Sequence, residues 1–261
     1  MLPLTSHQKV QRVTVEAQGN LLKLKVDSVP VGGGVRDVIK GFSKASRKRL
    51  QELCARLQPG LVWFVTLTYS NPVPAPRTVK RHLAAFKARV RRRWPCGAFI
   101  WRFETESKGI RVYHPHLHFM AYNTPGISFW WVLDAWREIT EHPDTTQVKV
   151  QVVTDWRRVL GYVSKYVAKV SSDAALDYLA YSYGDRWIGR YWGVMNARFL
   201  PFAELLSIGV VAGPWFHKVK RAARRYWKGV NGYRDKGFTL FMGNLEQWLG
   251  LIEYYAREEY V

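Results

Sequence analysis

The segment HPHLHFMAY, residues 114–122, carries three histidines in five positions and then becomes apolar. Alternate side chains of a strand point to opposite faces, so His116 and His118 would share one face and Leu117 and Phe119 the other. The pattern therefore predicts a strand with a core on one side and two adjacent imidazoles on the other. Paired imidazoles are typical ligands of a divalent cation.

A carboxylate precedes this strand. In the stretch RFETE, Glu104 and Glu106 are two residues apart and would lie on one face of a second strand. A β-hairpin over residues 98–122 would bring one of them beside both imidazoles. Two imidazoles and a carboxylate would fill about half of the coordination positions of a divalent cation and leave the others open for water and a phosphate oxygen. Imidazole nitrogen favours Mn²⁺ and abundance favours Mg²⁺, so either ion is expected. As an alternative, Glu104 pairs with Arg102 or Arg111 on a surface.

A third stretch, GYVSKYVAKV, has helical spacing. Tyr162 and Tyr166 are four residues apart, and Lys165 and Lys169 follow them by three. At about 100° per residue all four fall on one stripe of a helix, and valines fill the opposite stripe. A phenol is a poor nucleophile at its usual pKa of about 10. Nearby ammonium groups and a metal-polarised phosphate would favour the phenolate.

The charge of the chain points to a polyanionic partner. Its 261 residues include 40 Lys and Arg against 20 Asp and Glu, a net charge of +20. Nucleic acid is the expected partner, since no stretch reaches the roughly 20 apolar residues of a membrane helix. No secretory signal, Walker motif or CxxC pair is visible, so we expect a cytoplasmic protein without a nucleotide cofactor. Of the basic runs, Arg91, Arg92, Arg93, Arg224 and Arg225 are the expected phosphate contacts.

The elements that position these residues follow an α+β order. From residue 62 the pattern is β, α, β, β, α, β, α, which fits a central antiparallel sheet with flanking helices on a ferredoxin-like plan. Helix 78–93 would bury Val79, Leu83, Phe86 and Val90. Trp130 and Trp131 are expected in the core.

Three regions follow from this order. Residues 1–60 would form a β segment and a basic helix packed on the core, residues 61–200 the core, and residues 201–261 a mainly helical C-terminal extension. The helices of that extension are expected within PFAELLSI, over residues 214–229 and over residues 245–258.

The motifs as a set resemble the HUH endonucleases, whose name stands for histidine, hydrophobic residue, histidine. The resemblance rests on HLH in a Pro-His context, the strand FVTLTY and the helix YVSKYVAK, and it is greatest to two-tyrosine rolling-circle initiators of phages. FSKASRKRL and RYWGVMNARFLP resemble replication proteins of the gene II type. It covers roughly residues 40–201 and implies the ferredoxin/RRM-like HUH nuclease core.

The resemblance implies a role for each motif residue. His116 and His118 would bind the metal with Glu104, and Glu106 stays open as the third ligand. Tyr162 and Tyr166 would be nucleophiles that form a 5′-phosphotyrosine, while Lys165 and Lys169 would position phosphate or metal-bound water. His114 would be a neighbour or a DNA contact.

These roles predict a replication initiator that nicks and rejoins single-stranded or hairpin origin DNA in a bacterial host cell, together with the host helicase and polymerase. The alternatives are an HUH relaxase or single-strand transposase, and a non-catalytic basic protein that binds single-stranded nucleic acid.

Overall fold

The computed structural model divides the chain into two units: Met1–Gly34, Ala55–Gln58 and Phe202–Val261 form the first, and Val35–Cys54 and Pro59–Pro201 form the second. The structure describes residues 12–26, 42–58, 60–69, 74–105, 113–142, 148–153, 189–211, 233–235 and 238–242, with positions 218, 221 and 250. None of the helices in these ranges is both long and apolar enough to cross a membrane.

The second unit contains a five-stranded antiparallel sheet with flanking helices. Its elements are α1 (Lys44–Ala55, of which Ala55 belongs to the first unit), β3 (Val62–Leu67), α2 (Pro76–Arg93), β4 (Ala98–Glu104), β5 (His116–Tyr122), α3 (Phe129–Thr140), β6 (Val148–Val153), β7 (Trp192–Met195) and a 3₁₀ turn (Ala197–Phe199).

The order of its strands across the sheet is β6-β3-β5-β4-β7, and every neighbouring pair is antiparallel. With β7 removed, this is the β-α-β-β-α-β arrangement of a ferredoxin-like fold, so the predicted α+β class and plan are confirmed. The fold is consistent with an HUH nuclease core.

Helices α2 and α3 cover one face of this sheet because each has an apolar stripe. Val79, Leu83, Phe86 and Val90 are buried on α2, as the 3.6-residue spacing predicts. The Phe86 ring lies 5.1 Å from the ring of Phe119 on β5. Residues of β5 with odd numbers therefore face the helices, and those with even numbers face away from them.

Local signals explain where the helices begin. Ser128 accepts a hydrogen bond from the backbone N–H of Trp131 and caps α3. Pro76 stands in the first turn of α2, where a missing N–H costs nothing. The core expectation for α3 is wrong at Trp130, which is 71% exposed because it points away from the stripe that contains Val132 and Trp136. Trp131 is half-buried.

The first unit contains a second antiparallel sheet, in the order β8-β1-β2-β10-β9. Its strands are β1 (Arg12–Gln18), β2 (Leu21–Val26), β8 (Leu206–Val211), β9 (Tyr233–Asp235) and β10 (Phe238–Met242). β1 and β2 form a hairpin whose turn starts at Gly19, with a φ of 57°. A Cβ there would lie 2.6 Å from the carbonyl oxygen of Ala55, so only glycine fits.

Where the structure describes residues 201–261, it has three strands that the predicted mainly helical extension did not include. The segment PFAELLSI leads into β8, which pairs with β1, and β10 pairs with β2. These pairings join residues about 190 to 220 positions apart, and short-range helical periodicity carries no information about such distant partners. Positions 218, 221 and 250 are helical, but most of the helices predicted at 214–229 and 245–258 lie outside the described residues.

Candidate active site

The three predicted ligands lie on one face of the second unit's sheet. In the register of β4 and β5, Glu104 stands opposite His116, and Arg102 stands opposite His118. Cross-strand partners share a face, and this is the face turned away from α2 and α3. Leu117 and Phe119 are fully buried on the other side. The two-faced strand inferred from the sequence is therefore present.

His118 is held through both ring nitrogens. Its Nδ1 lies 3.1 Å from Thr66 Oγ1, and its Nε2 lies 3.2 Å from Glu104 Oε2. In the tautomer whose Nδ1 proton is donated to Thr66, the Nε2 lone pair faces the carboxylate. That tautomer would suit a bound cation, with Thr66 as the hydrogen-bond acceptor behind the ring, whereas the other tautomer donates its Nε2 proton to Glu104.

Glu104 makes an ion pair as well as the imidazole contact. Arg102 Nη1 lies 3.3 Å from Glu104 Oε1, and both side chains are less than 10% exposed. A buried carboxylate must be paired to stay charged, and Arg102 supplies that pairing. The sequence allowed Glu104 either to pair with Arg102 or to bind a cation. In the structure, one carboxylate oxygen lies beside the Arg102 guanidinium and the other lies beside the His118 imidazole.

His116 and His114 extend the row of imidazoles that begins at His118. The rings of His116 and His118 are 6.1 Å apart and nearly parallel, at 26°. His114 Nδ1 lies 3.2 Å from His116 Nε2, and the backbone N–H of His114 donates to the carbonyl of Thr105. His114 is therefore a direct neighbour of the second proposed ligand.

The donors present fit a divalent cation. An imidazole nitrogen and a carboxylate oxygen are ligands that Mn²⁺ and Mg²⁺ accept. Two ligands bound at about 2.1 Å and at right angles would be about 3.0 Å apart, and His118 Nε2 and Glu104 Oε2 are 3.2 Å apart. Among the described residues, no three His, Cys, Asp or Glu side chains already form a metal cluster. His116 stands beside the pair, and Glu106 lies outside the described residues.

Residues before α1 and around β7 reach the same face, and the sequence reading did not assign them to the site. The guanidinium of Arg102 lies 4.6 Å above the Phe42 ring, whose centroid is 6.3 Å from that of Tyr191. Trp192 Nε1 donates to Ser46 Oγ at 2.8 Å. The alternation of Arg102 and Glu104 on one face was the available signal for Arg102, whereas Phe42 stood out only through the resemblance of FSKASRKRL to gene II proteins.

The tyrosines proposed as nucleophiles fall outside the described residues. Tyr162, Tyr166, Lys165 and Lys169 all lie within residues 154–188, and their predicted helix and roles stay predictions. Two described tyrosines are poor candidates, because burial raises the pKa of Tyr69 and Tyr122 well above the usual value for a phenol. Tyr69 is also engaged, with its hydroxyl 3.1 Å from His82 Nδ1.

The predicted DNA-binding arginines of α2 do not lie at the histidines. Arg91, Arg92 and Arg93 are exposed on the last turn of α2, which covers the opposite face of the sheet. Arg92 and Arg93 line a groove of about 420 Å³ with Trp131, and Asp134 and Glu138 form its other wall. Arg224 and Arg225 lie outside the described residues.

Comparison with known proteins gives one family match. Residues 62–171 match the family model for replication-associated proteins of the ORF2 and gene II protein type. The matched range starts at β3, includes the histidine face and ends after the Tyr-Lys stretch. No curated protein and no solved structure matches the chain. Over residues 62–171 the chain is thus similar to replication-associated proteins of this type, and this supports a replication initiator of the Rep type.

Proposed function

We propose that this chain initiates rolling-circle replication by nicking and rejoining single-stranded origin DNA through a phosphotyrosine. The observation that carries the proposal is the His118–Glu104 pair, with His116 beside it, on one face of a ferredoxin-like sheet. Glu104, His116 and His118 also lie within the range that matches the replication-associated family. A net charge of +20 suits a substrate made of phosphates.

The proposed reaction exchanges one phosphodiester for another. The phenol oxygen of Tyr162 or Tyr166 attacks the phosphorus and loses its proton, the bond from phosphorus to the 3′ oxygen breaks, and that oxygen leaves as a 3′-hydroxyl after taking up a proton. The 5′ phosphate remains esterified to tyrosine. Because one ester replaces another, rejoining needs no ATP.

The described residues would serve this reaction by holding charge at the phosphate. A divalent cation bound by His116, His118 and Glu104 would polarise the scissile phosphate and offset the charge of its transition state. Thr66 contacts the far side of the His118 ring, and Arg102 pairs with Glu104. Lys165 and Lys169 are proposed to stabilise the attacking phenolate and the phosphate.

Strand directions favour an approach of the tyrosines to this face. The connection from β3 to β4 crosses the sheet through α2 on the helix-covered face, and β3 and β4 are parallel. In the order of the sheet, β7 lies on the same side of β6 as β4 does of β3. The chain direction of β6 and β7, however, is opposite to that of β3 and β4. Parallel crossovers are right-handed in nearly all proteins. A β6-to-β7 connection of the same hand would therefore cross the histidine face.

Two tyrosines would have separate uses. The first would hold the 5′ end during a round of replication, and the second would cleave the regenerated origin. The displaced 3′-hydroxyl would then attack the first phosphotyrosine and release a circle. An i, i+4 spacing would let both phenols reach one phosphate site in turn.

Covalent capture tests the proposal. We expect an origin oligonucleotide incubated with the protein and Mn²⁺ to give an adduct on a denaturing gel. Tyr162→Phe together with Tyr166→Phe should abolish the adduct, while Tyr178→Phe, from the same part of the chain, should retain it. An adduct that survives in the double variant contradicts the nucleophile assignment. Binding without any adduct in the unaltered protein would favour the non-catalytic alternative.

A further inference from the structure

A row of cations lies on α2, on the face of the sheet opposite the histidines. Lys87 and Arg91 follow Lys80 by seven and eleven residues. At about 100° per residue they fall within about 40° of one another, and the row is about 16 Å long. Arg190, exposed just before β7, lies next to its first member, because Lys80 Nζ donates to the Arg190 carbonyl oxygen.

The row is built against an aromatic surface. Lys80 Nζ lies 5.3 Å from the Trp101 ring centre and 4.7 Å from that of Phe103, and Lys87 Nζ lies 5.6 Å from the Trp101 ring. Trp101 itself lies across Gly193 of β7, where a Cβ would come within 2.8 Å of the indole. Both ammonium groups therefore lie against aromatic rings at the β4–β7 edge.

These cations repel one another, and no carboxylate in the described parts of the chain pairs with any of the four. The pKa of Lys80 is lowered to about 7, first by burial and then by Lys87. The pKa of Lys87 is lowered by burial and by Arg91 and Arg190. Such a concentration of like charge is unfavourable in the free protein and is relieved when an anion binds.

We propose that Lys80, Lys87, Arg91 and Arg190 form a phosphate-binding track for single-stranded DNA along the β4–β7 edge. A row of about 16 Å is long enough to contact more than one phosphate of an extended strand. The track starts near the histidine end of the sheet, since Trp192 of β7 stands opposite Arg102. The track would therefore hold DNA that flanks the nicked phosphate. This inference rests on the proposed function.

The mixed groove beside Arg92 and Arg93 is a weaker site for the same ligand. Arg89 is already paired with Glu138, and Asp134 adds a second negative charge. The Lys80 row has no such acids in the described residues. A phosphate chain should therefore prefer the row to the groove.

Salt-dependent binding of a non-origin oligonucleotide tests the track without involving nicking. The probe is labelled dT20, measured by fluorescence anisotropy in EDTA between about 0.05 and 0.3 M NaCl. Lys87→Met keeps most of the aliphatic contact with Trp101 and removes the charge. Each lost phosphate contact should weaken binding about fivefold at about 0.1 M salt and lower the salt slope by about 0.7. Lys87→Met with Arg91→Met should lower the slope by about 1.4.

Arg81→Met is the matched control. Arg81 is exposed on the same helix, about 100° away from the row, and its guanidinium donates to Thr78. It should change affinity and slope much less than Lys87→Met, and neither variant should melt at a lower temperature than the unaltered protein. If Lys87→Met and Lys87→Met/Arg91→Met match the control, the cations serve only to pack α2 on Trp101 and the track is refuted. Because dT20 binding needs no cleavage, this result is independent of whether the chain forms a phosphotyrosine.

Discussion

Glu104 Oε2 lies 3.2 Å from His118 Nε2, while Oε1 of the same carboxylate lies 3.3 Å from Arg102 Nη1. One carboxylate thus connects a permanent cation to an imidazole whose other nitrogen contacts Thr66. This arrangement gives Glu104 a cationic partner inside a buried face and directs its other oxygen to the place where a divalent cation would bind.

Glu104→Gln should weaken cation binding without removing the side chain. The amide keeps the shape of the carboxylate but carries no charge, so the affinity for Mn²⁺ measured by titration calorimetry should fall at least about tenfold. Nicking should fall with it. Glu138→Gln, on α3 and 63% exposed, is the control and should leave Mn²⁺ affinity unchanged. Equal Mn²⁺ affinity of Glu104→Gln and the unaltered protein would contradict the role of Glu104.

Arg102→Met should destabilise the fold. It leaves Glu104 buried without its guanidinium and removes the contact with the Phe42 ring, so the free energy of unfolding should fall by about 3 kcal/mol. Arg102→Lys keeps a charge but lacks the planar fork, and it should lose less. Urea unfolding at neutral pH measures both. Unchanged stability of Arg102→Met would show that the ion pair contributes little.

Chelation should separate nicking from binding. In EDTA we expect cleavage of an origin oligonucleotide to stop, because the scissile phosphate loses its cation. Binding of the same oligonucleotide should persist in part, since basic side chains and not the cation make most phosphate contacts. Adding back Mn²⁺ or Mg²⁺ should restore cleavage. Undiminished cleavage in EDTA is the outcome that would remove the cation from the proposal.

Stability should rise with pH in a window set by Lys80. The pKa of Lys80 is about 7 in the folded protein, whereas an ordinary lysine, as in the unfolded chain, has a pKa of 10.5. Between these two pKa values the unfolded chain therefore binds more protons at this position than the folded protein does. The free energy of unfolding therefore increases with pH where this difference exists. Comparing chemical denaturation at about pH 6.5 and about pH 8.5 should show the increase, and Lys80→Met should reduce it. A pH dependence that is identical in Lys80→Met would show that another group is responsible.

Gly193→Ala should disturb the edge where Trp101 lies. The added Cβ would be 2.8–2.9 Å from three atoms of the indole, closer than real contacts allow, so the ring must move. Overpacking of this kind costs about 1–3 kcal/mol. Gly60→Ala, which meets nothing within 4 Å, is the control in thermal unfolding. Equal melting temperatures of the two variants would mean that the indole relocates at no cost.

Most elements in the described part of the second unit could be predicted from local pattern. The period-2 alternation of residues 114–122 identified both faces of β5, and the 3.6-residue spacing of α2 identified its buried stripe. Such patterns predict which face of an element is buried, because each element must turn its apolar side to the core. Trp130 was misplaced because composition marks an indole as core, whereas its exposure depends on which side of α3 the sheet lies.

By itself the sequence determined the histidine pair, the nearby carboxylate, the Tyr-Lys stretch, the excess of positive charge and the order of elements that predicts an α+β core. Only the tertiary structure decided that Glu104 contacts His118 and Arg102 together, that Phe42 reaches their face, and that Lys80 and Lys87 share one indole. It also decided that β8 and β10 join β1 and β2 in one sheet. The physical reason is that these contacts join residues far apart in the chain, where strand register and packing select the partner and local periodicity has no influence.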